Sequence, residues 1–389
     1  MRNVEILAAE LADARRVIYQ NQARDAGQRS ALALALIGAF AAQAQARAQA
    51  RGLAVTIYRG AARIRRRPWP HIRILDRLLG RLRSPGQAML IAGSGLWRWS
   101  GGGLRGRLYD LRHMAAYARR GPDPALRPPA LVDQAWYLQQ PAVAGSGMSP
   151  LAHYLLPGSD KGLSPHPLFD PQFYLAQCAA AGVAVRRMSP LEHFIRRGAP
   201  MGLDPHPLFS IAWYVGERPD VAASGENPLT HYLEKGWIEG SSPHPLFDPD
   251  WYVAQAPAEA KDEAPLRHYL AQGWRGGLSP HPLFDGPWYL ARHADIARAG
   301  VEPLSHYVTA GAREGRDPSP WFDAHHYAAV RGEALTPEAN PLVDYLTGGA
   351  WAVSEARPGF ATAAYIAARP EAAASGRTPL EHWARLAGP

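Results

Sequence analysis

Pro190-Leu191-Glu192-His193-Phe194 leads through Gly198 to Pro205-His206-Pro207-Leu208-Phe209 and Trp213-Tyr214, and then Pro228-Leu229-Thr230-His231-Tyr232 begins the same text again, 38 residues after Pro190. A period of that size belongs to repeat arrays. Aligning the chain on itself extends the series. Pro-Leu pairs start at Pro150, Pro190, Pro228, Pro265, Pro303, Pro341 and Pro379, and the matching tyrosines are Tyr137, Tyr174, Tyr214, Tyr252, Tyr289, Tyr327 and Tyr365. Both series keep spacings of 37 to 40 residues. We number these copies one to seven in chain order. A worn half-copy with His113-Met114 and Gly121 precedes them, so the repeat pattern begins near residue 113.

Within a copy the local signals are helical. Asp170 reads as the N-cap of a helix A whose first residue is Pro171, where the missing N–H costs nothing, and Phe169 is placed to staple onto Tyr174. Helix A is predicted to run through Leu175 and Cys178 to Gly182. A helix B follows, with Ser189 as N-cap, Pro190 at its first position and Glu192 completing a capping box, and Thr378-Pro379-Leu380-Glu381 repeats that pattern. Gly198 is predicted to end helix B in the left-handed conformation, as are Gly158, Gly236, Gly273 and Gly311. Helices this short are marginal alone, since isolated helices need roughly 12 to 15 residues, so stacking must hold them. The connector Pro-His-Pro-Leu-Phe, starting at 165, 205, 243 and 280, cannot continue a helix. It reads as an extended strap inserting its leucine and its phenylalanine (Phe169, Phe209, Phe247, Phe284) between helices. The expected fold is all-α: a tandem array of short helical hairpins joined by extended Pro-rich straps, with an N-terminal helical segment.

The 389 residues would make two or three ordinary domains, but repeats bury their cores against neighbours, which favours one extended body. Three regions follow: 1–46, 47–107, and an array of about seven repeats over 108–389. Residues 3 to 24 carry Val4, Leu7, Leu11, Ala14 and Ile18 at coiled-coil spacing, which suits either self-association or packing on the same chain. Ala31 to Ala42 is an apolar run too short to span a bilayer. It resembles the core of a signal segment, but Glu5, Glu10, Asp13 and Asp25 precede it where a signal has a short basic start, so an uncleaved helix is the expectation. Residues 47 to 120 hold 17 arginines against Asp76 and Asp110, a net charge of +15, while the array beyond carries −8. In this neck Leu78 and Leu82 share an apolar helical stripe beside Arg73, Arg77 and Arg81, a pattern suited to an anionic membrane surface or to a solvated linker. Nucleic acid is not expected, because Tyr58 and Trp69 are the aromatics interleaved with arginine between Arg47 and Arg83 and no nucleic-acid-binding motif occurs. Gly101 to Gly103 mark a joint rather than a phosphate cradle. Cys178 is the single cysteine, which excludes an intrachain disulfide.

Two histidines recur. One lies in helix B (His153, His193, His231, His268, His306, His382) and one in the strap (His166, His206, His244, His281). A row of paired imidazoles invites a metal reading. Each copy, however, supplies two imidazoles and no fixed third ligand, whereas zinc takes four protein ligands, or three and water. Asp344 replaces the helix B histidine in copy six, and Ser319 and Arg357 replace later strap histidines. A structural role is therefore expected, the imidazole tying strap to helix through its one donor and one acceptor, with no metal and no cofactor. Asp248-Pro249-Asp250 looks like a metal-binding Asp-x-Asp, but Asp248 holds the N-cap position of helix A. Catalytic signatures such as HExxH, GxSxG, CxxC and the dinucleotide fingerprint do not occur.

At Asn227-Pro228-Leu229-Thr230-His231-Tyr232-Leu233-Glu234-Lys235-Gly236 and Pro243-His244-Pro245-Leu246-Phe247-Asp248-Pro249-Asp250-Trp251-Tyr252, with Arg218-Pro219-Asp220-Val221 before them, the chain resembles a known family of tandem repeats. These repeats accompany bacterial glycosyltransferases of surface-polysaccharide synthesis, the rhamnan-synthesis-like proteins among them, and occur in some large secreted proteins. The resemblance covers about 113 to 389, includes no transferase domain and carries over no catalytic residue. It implies a setting in envelope glycan assembly. The leading expectation is a non-catalytic scaffold in the cytoplasm, peripheral to the inner membrane, that presents its array to a protein partner in glycan assembly. A glycosyltransferase-related protein is the enzymatic alternative, and a secreted glycan- or metal-binding array is a third if residues 31–46 are a signal.

Overall fold

The computed structural model describes residues 130–143, 150–158, 162–185 and 188–387. The N-terminal helix, the Ala-rich run, and the neck with Arg73, Arg77, Arg81, Leu78 and Leu82 lie outside the described residues. Within them the fold is all-α, a tandem array of short helices whose β pairing is confined to isolated bridges. The array packs as two compact units, one holding 130–211 and 219–235, the other 212–218 and 236–387.

Helix A recurs as Gln134–Gln139, Pro171–Ala180, Ile211–Glu217, Pro249–Gln255, Gly286–Arg292, Ala324–Arg331 and Thr362–Ala368. Asp133, Asp170, Asp248, Asp285 and Asp323 cap five of these, each side chain accepting a backbone N–H of the first turn. Helix B opens as one α-turn, such as Pro190–His193, and widens into a π-helical stretch, here Phe194–Gly198. Copies one to five share that form, and copies six and seven stay α-helical over Pro341–Leu346 and Pro379–Ala387. The capping box is present: Glu192 N–H donates to Ser189 Oγ at 3.3 Å and Ser189 N–H to Glu192 Oε2 at 2.9 Å. A third short helix precedes helix B in some copies (Pro219–Ser224, Ala294–Ala299, Pro370–Ala374), which the hairpin reading did not anticipate.

The strap departs from the expected extended form. Phe169 N–H donates to His166 O at 2.9 Å, and the same turn closes at Phe209, Phe247 and Phe284. Folding the strap into a turn drives Leu208 and Phe209 inward, both fully buried. Phe209 meets Tyr232 with ring centroids 5.6 Å apart; Phe169 meets Tyr174 and Phe194, and Phe247 meets Tyr252 and Tyr269. Phe284 packs in the same way between Tyr289 and Tyr307.

Successive copies are joined by backbone donors and tyrosine hydroxyls. The N–H of four cap aspartates reaches the first strap proline of the next copy: Asp133 to Pro165 O, Asp170 to Pro205 O and Asp248 to Pro280 O at 2.9 Å, and Asp285 to Pro318 O at 3.1 Å. The tyrosine of helix B accepts from the start of the next helix B, Leu191 N–H to Tyr154 Oη at 3.2 Å and Leu380 N–H to Tyr345 Oη at 3.0 Å. In copy four Tyr269 instead donates to Glu302, the cap of the following helix B, whose carboxyl is pushed up by burial. In the second unit the last helix also lies back on copy four, where Arg385 pairs with Asp248 and sits over the Trp251 ring. Trp383 replaces the helix B tyrosine there and packs on Trp321 and Phe360.

Removing the Phe209 ring should leave a cavity that rigid helix ends cannot close, so Phe209→Ala is expected to cost about 3–5 kcal/mol in urea unfolding, with loss of Tyr232 protection from solvent quenching.

Candidate functional site

The recurring polar residues converge on one arrangement. In copy two Tyr174 Oη lies 2.6 Å from His193 Nδ1, joining helix A to helix B through the core. The same bond links Tyr137 to His153 (2.8 Å), Tyr252 to His268 (2.5 Å), Tyr289 to His306 (2.9 Å) and Tyr365 to His382 (2.7 Å). In copy six Asp344 takes the imidazole's place: Tyr327 Oη donates to Asp344 Oδ2 at 2.5 Å and Arg331 Nε donates to the same oxygen at 2.8 Å. A half-buried carboxylate is stabilised by that cation, which a neutral imidazole does not need. His193, His231 and His268 are buried, and burial pulls His193, His268 and His306 below the ordinary histidine range, with Arg197, Arg267 and Arg316 respectively adding to the effect. Burial likewise holds the Tyr174, Tyr252 and Tyr289 phenols far above their ordinary range.

This arrangement also explains the helix B glycine, and differently from expectation. Gly198 is right-handed at φ −64°, and the left-handed glycine lies four residues on, at Gly202 with φ 74°. A β-carbon on Gly198 would stand 2.0 Å from Tyr174 Oη, and one on Gly158, Gly273, Gly311 or Gly349 would meet the tyrosine of its own copy at 1.9 to 2.2 Å. The glycine is there because the hydroxyl occupies the side-chain space. Gly162, Gly240, Gly277 and Gly315 supply the left-handed turn that the sequence reading assigned to the earlier glycines.

The strap histidines act locally. Leu168 N–H donates to His166 Nδ1 at 3.0 Å, and Leu208, Leu246 and Leu283 donate to His206, His244 and His281 at 3.1 Å. Accepting at Nδ1 fixes the neutral tautomer with its proton on Nε2. In copy five's successor Ser319 Oγ accepts from Trp321 N–H at 3.3 Å, so a hydroxyl serves the same turn. A further clamp escaped the sequence reading: Gln177 exchanges two bonds with the backbone of Asp204, and Gln255 does so with Ser279. Its signal was a glutamine three residues after the tyrosine, also present as Gln140.

Among the described residues no three His, Cys, Asp or Glu side chains are grouped to hold an ion. Asp248 accepts Trp251 N–H at 2.9 Å, the cap its position indicated. Cys178 is buried beside Tyr174, where desolvation pushes its thiol up. The geometry is thus that of a fixed frame in which imidazole and phenol hold helices together. No family model, curated protein or solved structure matches the chain.

His281 is 3 % exposed, and burial, with Arg377 and His244 nearby, brings its pKa down to about 3. A histidine depressed in the folded state contributes stability that is complete above the unfolded value of about 6.5 and is lost as pH falls towards the folded one. Urea midpoints should therefore drop as pH falls from 7 to 4. The variant His281→Ser, which copies Ser319, should show a drop smaller by on the order of 1 kcal/mol per pH unit. Equal slopes for both proteins would contradict the assignment.

Proposed function

We propose that this chain is a non-catalytic scaffold of bacterial cell-envelope polysaccharide synthesis, held at an anionic membrane surface by its arginine neck and offering the repeat array to a protein partner in glycan assembly. The observation that carries this reading is the division of labour within a copy. Recurring tyrosines, histidines and glycines are turned inward and engaged with one another. In copies three to six the position two residues after the helix B glycine instead reads Ile238, Arg275, Arg313 and Trp351, all exposed, while in copy two it is the buried Pro200. One frame carrying different chemistry at equivalent points is the design of a binding array, whose use is its surface. Among the described residues no helix is long and apolar enough to cross a membrane, which is consistent with attachment through the neck. The coiled-coil spacing of residues 3 to 24 would add a route to self-association.

Juxtamembrane arginines contribute about 1 kcal/mol each near an anionic leaflet. Replacing Arg73, Arg77 and Arg81 with glutamine should weaken binding to phosphatidylglycerol vesicles at moderate salt by ten-fold or more and leave binding to neutral vesicles unchanged. In a strain lacking the gene, surface polysaccharide should fall, and the triple variant should restore it less well than the parent. Unchanged polysaccharide in that strain, or sugar transfer by the purified chain alone, would refute the scaffold reading.

A further inference from the structure

Between copies five and six lies an open cavity of about 230 Å³, lined by Ala312, Gly315, Ala324 and Ala328, with Arg313 and His325 at its rim. The chain's own repeats show what this space holds elsewhere. Ala312 occupies the place of Trp274 and Trp237 in copies four and three, and Ala328 that of Leu290 and Val253. The register is confirmed by geometry. A β-carbon on Gly277 would meet the Pro287 side chain, and one on the equivalent Gly315 would meet the His325 ring. The junction of copies five and six thus keeps the frame and lacks both of the large side chains that the two preceding junctions carry at these places.

What it also keeps is the cation. Arg275 donates to Ala271 O at 3.1 Å, which holds its guanidinium 4.3 Å from the centre of the Trp274 ring. Arg313 likewise donates to the equivalent Thr309 O and lines the cavity at the place where the indole is missing. We propose that this cavity binds a planar aromatic small molecule of about indole size, its ring taking the place of Trp274 beneath Arg313 and an anionic substituent meeting Arg313 and His325. Small apolar walls, a pre-positioned cation and an open mouth are the elements such a site requires.

Indole-3-acetate is the probe, titrated into the full-length protein by calorimetry and by saturation-transfer NMR. The expected result is saturable binding with a Kd in the millimolar range or below. Ala312→Trp restores the side chain of copy four and should weaken binding at least ten-fold while raising the melting temperature. Ala328→Leu fills the same space from the other wall and should do likewise, which keeps the test decisive if the first variant misfolds. Arg313→Ala should weaken binding several-fold without lowering the melting temperature. Absence of saturable binding to the parent protein, or undiminished binding to a folded, filled variant, would overturn the proposal.

Discussion

A phenol hydroxyl set over a glycine and bonded to an imidazole is the contact on which the rest of this structure depends. Each helix is far shorter than one that holds itself in water, and the helix B α-turn of copies one to five is four residues. Apolar burial alone would leave such pieces free to slide. The bond between Tyr174 and His193 fixes helix A against helix B at one register, because only where the glycine faces the ring is there room for the oxygen. A buried polar pair bonded in this way adds a modest net stability and a large penalty for any misaligned packing that would leave it unmade.

Propagation from copy to copy uses a second set of polar contacts on the same principle. Cap aspartates donate their own N–H to the next strap, and helix B tyrosines receive the N–H of the next helix B. Phe194, at the tyrosine position of copy two, lacks the hydroxyl and supplies only its ring, packed on Phe169 and Tyr174. The arrangement therefore tolerates local losses, as the exchange of histidine for Asp344 with its companion Arg331 also shows. Tolerance of this kind inside the frame leaves the outer positions open to divergence, which is what a scaffold offering several chemistries would need.

Much of this was legible in the residues, and the limits have physical causes. Helix starts could be read because Asp, Ser and Pro act through bonds to their near neighbours, so Asp170 and the Ser189–Glu192 box stand where the sequence put them. The αL assignment of Gly198 failed because two different demands select glycine, a positive φ and a missing side chain, and a sequence does not say which applies. The strap histidines were read as tying strap to helix, whereas Nδ1 instead closes a turn two residues on, a choice made by backbone geometry. The cavity beside Ala312 was not read, although its signal stands in the sequence as alanines at the places of Trp274 and Leu290. The neck, with its membrane expectation, lies outside the described residues.

A double-mutant cycle at Tyr289 and Gly311 tests the central contact most directly. A β-carbon on Gly311 would lie 2.2 Å from Tyr289 Oη but 3.4 Å from the ring carbon that bears it, so deleting the oxygen makes room. Alanine otherwise favours a helix over glycine by up to about 1 kcal/mol, and the next contact of the added carbon, His306 Nδ1 at 3.3 Å, is mild, so the main loss in Gly311→Ala comes from the hydroxyl. Gly311→Ala alone should cost about 2–3 kcal/mol in urea unfolding and Tyr289→Phe alone about 1 kcal/mol. In combination they should cost less than their sum by at least about 1 kcal/mol. Additive losses, or a Gly311→Ala variant as stable as the parent, would show that the glycine serves the backbone and that the hydroxyl over it does not set the register.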